Sequence, residues 1–168
     1  MIEALHLGSM LPATLGACCV AGSADRRSPL AWFGMLAMLA AMADTMLLPH
    51  PLVAPVVWAA LLVATGLATA AAHRQRPIHR APTMAVHRAL QVILMGGLIV
   101  AAGAHHGAAG GGHSAHGVDV IAALGVAALA FAAGSGALAF RRQLPRFPRA
   151  EAVLGAASVA LMSLPLLA

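Results

Sequence analysis

His73-Arg74-Gln75-Arg76-Pro77 is the stretch that decides how this chain folds. It separates an apolar run at 52–72 from another at 83–104. Each run is close to the ~20 residues an α-helix needs to cross ~30 Å of hydrocarbon. Similar punctuation recurs as Asp25-Arg26-Arg27-Ser28-Pro29 and as Arg141-Arg142-Gln143-Leu144-Pro145. All 10 cationic residues are arginines: Arg26 and Arg27 after the first run, then Arg74, Arg76, Arg80 and Arg88, then Arg141, Arg142, Arg146 and Arg149. The gaps after the second and fourth runs hold neither Lys nor Arg. An excess of cations on alternate loops marks the cytoplasmic side. The sequence therefore predicts an all-α, polytopic membrane bundle of six transmembrane helices with both termini outside. Its single domain, 1–168, has helices at about 4–22, 30–48, 52–72, 83–104, 118–140 and 152–168, and a His/Gly-rich outer loop at 105–117. The three basic loops resemble one another, as any inner turn built from arginine and a helix breaker would.

Composition agrees. The chain is 61% hydrophobic and 9% charged, with mean hydropathy +0.87. A soluble domain carries about 25% charged residues. A sequence pI near 11.4 suggests nucleic acid, but arginines beside membrane spans are accounted for by anionic lipid, so no nucleic-acid partner is expected. Lys, Asn and Tyr are absent. All three use AT-rich codons, which points to a high-GC bacterial genome and a multi-pass protein of the bacterial plasma membrane. Leu15-Gly16-Ala17-Cys18 is similar to a lipobox, but no basic segment precedes it and Glu3 has the wrong sign for a signal peptide. An uncleaved N-terminus is expected, with Cys18 and Cys19 as small apolar fillers. Ser28-Pro29 suits a helix cap, Pro49-His50-Pro51 a tight outer turn, and Pro77, Pro82, Pro145 and Pro148 breaks in the inner loops. Many Gly and Ala residues within spans suit close helix packing, not a wide pore.

The chemistry-bearing residues gather on the expected outer side. His105, His106, His113, His116 and Asp119 crowd the fourth gap around the Gly-rich stretch 107–112. Imidazole is the commonest metal ligand near neutral pH, and a Gly-rich arm can fold several around one ion. Glu3, His6 and Met10 share one face of the first helix, which opens on the same side. A thioether among imidazoles tilts preference toward copper. The expected metal ligands are thus His6, Met10, His105, His106, His113, His116 and Asp119, for a copper or zinc ion. Asp119 also suits a helix N-terminus.

Helix two carries Met35, Met38, Met42 and Met46 on one stripe, which reads as packing. Asp44 lies across the wheel from that stripe and needs a partner, with His6, His50 or the loop histidines as candidates. His73, His79 and His87 read as solvated among arginines, although His87 and Gln91, one turn apart, could bridge helices. No hydrolase, nucleotide-binding or paired intramembrane aspartate motif appears, so no enzyme is expected. Two functions follow: a metal-binding membrane protein, and a non-catalytic accessory subunit of a larger membrane complex such as a respiratory assembly. The bilayer is the expected partner of either; a larger complex or a homo-oligomer is a further expectation.

The stretch Trp32-Phe33-Gly34-Met35-Leu36-Ala37-Met38-Leu39-Ala40-Ala41-Met42, with the His105-His106 pair, resembles a family of small multi-pass actinobacterial membrane proteins of unknown function. The resemblance covers helices two to four and leaves out Asp44 and the Gly/His insert. It implies a fold and a lineage, and no activity.

Overall fold

A computed structural model describes residues 2–23, 27–74, 82–107, 115–140 and 144–167. They form α1 (Ile2–Ala21), α2 (Pro29–Leu47), α3 (Pro55–Arg74), α4 (Pro82–Gly107), α5 (Ala115–Ala139) and α6 (Arg146–Leu167). The starts follow from local chemistry. Ser28 caps α2, accepting the Ala31 N–H at 3.4 Å, and Pro29 takes the first helical position, where a missing N–H costs nothing. Pro55 and Pro82 open α3 and α4 in the same way. α6 begins at Arg146, six residues ahead of the expected start at 152. Pro148 does not break it, because it lies in the first turn, where no helical N–H is needed. This extension puts Glu151 inside the helix. At the other end, α4 runs on to Gly107 and α5 opens at Ala115, so the expected loop 105–117 contracts to the connection 108–114, which lies outside the described residues.

Consecutive helices alternate in direction. α3 lies along α4, with Gly66 against Ile93 and Gly103 against Pro55. α1 lies along α6, with Ser9 against Ser158 and Gly22 against Phe147. α6 also packs on α5, and α4 touches α2, α5 and α6. Among the described residues α1 packs on α2 and α6 alone. Arg27, Arg74, Arg146 and Arg149 therefore share one end of the bundle, and the end of α4 and the start of α5 lie at the other. The core forms where Met35, Met38 and Met42 of α2 meet Val92, Met95 and Ile99 of α4, Val20 of α1 and Val159 and Met162 of α6. The methionine stripe is packing, as expected.

Five helices, α2 to α6, are long and apolar enough to cross a membrane, and α1 contributes the shorter apolar stretch Leu7–Ala21. The distribution of side chains suits a hydrocarbon setting. Leu11, Phe33, Leu36, Val57, Leu67 and Val126 face outward, while Ser9, His87, Arg88, Gln91, Ser135, Glu151 and Ser158 are buried. Polar groups turn inward because hydrocarbon offers them no partner.

The tightest seam is at Gly66. A Cβ there would lie 2.8 Å from the Ala89 carbonyl oxygen, which is backbone and cannot step aside. Gly66→Leu should destabilise the bundle by about 1–3 kcal/mol through overpacking. Gly134→Ala meets nothing within 4 Å and should leave stability unchanged or slightly raised. Thermal unfolding in detergent measures both, and equal effects would show that the seam has been misread.

Candidate functional site

One and a half turns of α4 hold three buried polar side chains, His87, Arg88 and Gln91. Arg88 lies six residues into α4 and Glu151 five into α6. At 1.5 Å per residue that is about 9 and about 8 Å from the arginine-bearing end, so the two meet at one depth. The guanidinium donates through Nε to Glu151 Oε1 and through Nη2 to Oε2 at 2.7 Å. Both residues are sealed, at 5% and 1% exposure. A forked pair of this kind satisfies both carboxylate oxygens and neutralises both charges. One turn further along α4, Gln91 sits against Gly155 of α6 and points its amide at the Met38 sulfur, 4.0 Å away.

His87 faces the other way, toward α5. It is 3% exposed and stacks on Phe131, centroids 5.0 Å apart. Nδ1 lies 3.2 Å from Ser135 Oγ, and Nε2 has no hydrogen-bond partner among the described residues. The expectation that His87 is solvated is corrected here: it sits in the second turn of a span, and its neighbours are a ring and a hydroxyl. It does bridge helices, but to α5 and without Gln91. His87, Phe131 and Ser135 help to line a cleft of 710 Å³ between α4 and α5, otherwise walled by Val86, Leu90, Ile93, Leu94, Ala127, Ala130, Gly134 and Leu138.

At the opposite end, Asp44 is 7% exposed and accepts three hydrogen bonds. They come from the Leu52 N–H at 2.8 Å, the Val53 N–H at 3.0 Å and Trp58 Nε1 at 2.7 Å. These partners replace the histidines expected for it, and they make Asp44 a clamp on the α2–α3 turn. His50 is exposed in that turn.

The expected metal ligands fare unevenly. Met10 is partly buried and packs against the core. His105 and His106 lie in the last turns of α4, His116 and Asp119 in the first turns of α5, and His6 in the second turn of α1, all by backbone alone. Their side chains, and His113 altogether, lie outside the described residues. α4 and α5 are neighbours, so the first four positions share one corner of the bundle, whereas α1 touches neither helix. Among the described residues no group of three or more His, Cys, Asp or Glu is gathered to hold a metal ion.

Sequence reasoning missed Glu151, although a signal was present. It is one of five acidic residues, and it follows closely on Arg146 and Arg149. Removing one partner should strand a charge in the interior. Arg88→Met or Glu151→Leu alone should cost about 3–5 kcal/mol, and the double change should recover most of that loss. Equilibrium unfolding in mixed micelles reads the cycle, and additive losses would exclude coupling. No protein family, curated protein or solved structure matches this chain.

Proposed function

We propose that this is a six-span protein of the bacterial plasma membrane, its arginine end in the cytoplasm and both termini outside, whose outer end captures a transition-metal ion, with copper favoured. The observation that carries the reading is the pairing of α4 and α5. It brings the helix-end histidines His105 and His106 beside the opening turns that hold His116 and Asp119, at the end opposite the arginines. Imidazoles with a carboxylate suit Cu²⁺ or Zn²⁺. His113, in the short connection between those helices, completes the set. His6 and Met10 join it only where the connection reaches across the bundle, since α1 packs elsewhere. Capture by such a site needs no catalytic group.

Orientation is tested by placing single cysteines at Ser114 and Gln143 in a background with Cys18 and Cys19 replaced by Ala. Ser114→Cys should react with an impermeant thiol reagent on intact cells, and Gln143→Cys should react only after lysis. The reverse pattern would invert the protein.

Metal analysis of the natively purified protein should find stoichiometric metal. Occupancy should fall as pH drops through about 6.5, because imidazolium does not ligate. Replacing His105 and His106 with Ala should weaken binding by more than about tenfold, the scale on which even supporting residues of metal sites act. The same change at His113 and His116 should cost less, because both members of the first pair are held on a helix whereas His113 lies in the connection. Full occupancy after His6→Ala would confine the site to the α4–α5 corner. Absence of metal together with co-purifying larger chains would replace this reading with the accessory-subunit one.

A further inference from the structure

The cleft between α4 and α5 is a second place where chemistry is incomplete, and it is independent of the metal reading. Its volume, 710 Å³, falls within the about 300–1,000 Å³ of small-molecule sites. From His87 to Leu94 it follows seven residues of α4, about 10 Å, and from Ala127 to Leu138 eleven residues of α5, about 16 Å. That is roughly half of a ~30 Å hydrocarbon layer. Beyond it the helices close: a Cβ on Gly97 would lie 2.8 Å from Leu124 Cδ1. A transmembrane helix from another protein would need a groove of full depth, and this one ends blind near the middle.

Its polar groups stand at one end. His87 and Ser135 are near the arginine-bearing end, and the walls beyond them are aliphatic save for Phe131. His87 is almost wholly buried, yet its Nε2 finds no protein partner. A buried ring nitrogen left unpaired is costly, and a ligand that supplies the missing partner recovers that cost. The charge of the ligand follows from the neighbours. Among the described residues no cationic side chain lines the cleft, and Arg88 is engaged by the Glu151 fork. Nothing there recommends an anionic headgroup. The pairing of Nδ1 with Ser135 decides what Nε2 offers. With the hydroxyl donating to Nδ1, Nε2 carries the proton and meets a carbonyl; with Nδ1 donating, Nε2 accepts from a hydroxyl.

We propose that the α4–α5 cleft binds an uncharged membrane-soluble amphiphile, its carbonyl or hydroxyl head on His87 and its hydrocarbon tail along Leu90, Ile93 and Leu94. A prenylated quinone or quinol and a neutral glyceride both present this chemistry.

The test is equilibrium binding of tritiated decylubiquinone to the purified full-length protein in phosphatidylcholine nanodiscs. Binding should saturate at one per chain. His87→Phe keeps the ring on Phe131 and should weaken it about tenfold. Gly134→Leu grows into open space and should abolish it while His87 stays intact. Metal content should be unchanged in both variants, which separates this result from the outer-end reading. Displacement by dioleoylglycerol at lower concentration than unlabelled decylubiquinone identifies a glyceride as the source, and the opposite order identifies a quinone. Uptake that does not saturate, equal displacement by dioleoylphosphatidylglycerol, or full affinity in either folded variant overturns the proposal.

Discussion

A charge placed in hydrocarbon must bring its counter-charge with it, and Arg88 does so with Glu151. The fork of a guanidinium accepts a carboxylate in few orientations. The pair therefore fixes the depth and the rotation of α6 relative to α4. Other registers follow from that one. α6 carries α1 through the Ser158 hydroxyl on the Ser9 carbonyl at 3.1 Å. α4 carries α3 through the close seam at Gly66. With α4 held on one side by α6 and on another by α3, the methionines of α2 fill what remains, as unbranched side chains can.

The apolar runs and the basic loops were legible because they are written in composition and spacing. So was the packing role of Met35, Met38 and Met42, whose stripe has the period of a helix. Glu151 was not, for a local reason: Pro148 read as a break, and the last span was begun at Ala152, one residue too late to own it. His87 and Arg88 fall within the span expected at 83–104, yet they were grouped with the loop arginines, since sequence alone does not say which face of a span turns inward. Asp44 was recognised as needing a partner. Its actual partners are two backbone N–H groups and an indole, brought to it by the turn. Backbone amides carry no residue-type signature, so such a clamp leaves no trace in the sequence.

The two ends of the bundle use polar groups in opposite ways. At the arginine-bearing end they are drawn inside the helices and mostly satisfied there, with the His87 ring nitrogen and the Gln91 amide oxygen left over. At the other end the histidines are set on helix termini beside short connections, while Asp44 is already spent on the turn. The chemistry proposed at one end is coordination by imidazole, and at the other recognition by a buried one.

The Asp44 clamp gives the molecule an optical signature. With no tyrosine and only two tryptophans, its ultraviolet emission comes from Trp32 and Trp58 alone. Trp32 is in the first turn of α2 and packs beside the core at the arginine-bearing end. Trp58 is in the first turn of α3 at the far end, its N–H held by a carboxylate. Each end of the bundle thus owns one fluorophore, and removing either indole leaves a chain whose light reports on a single end.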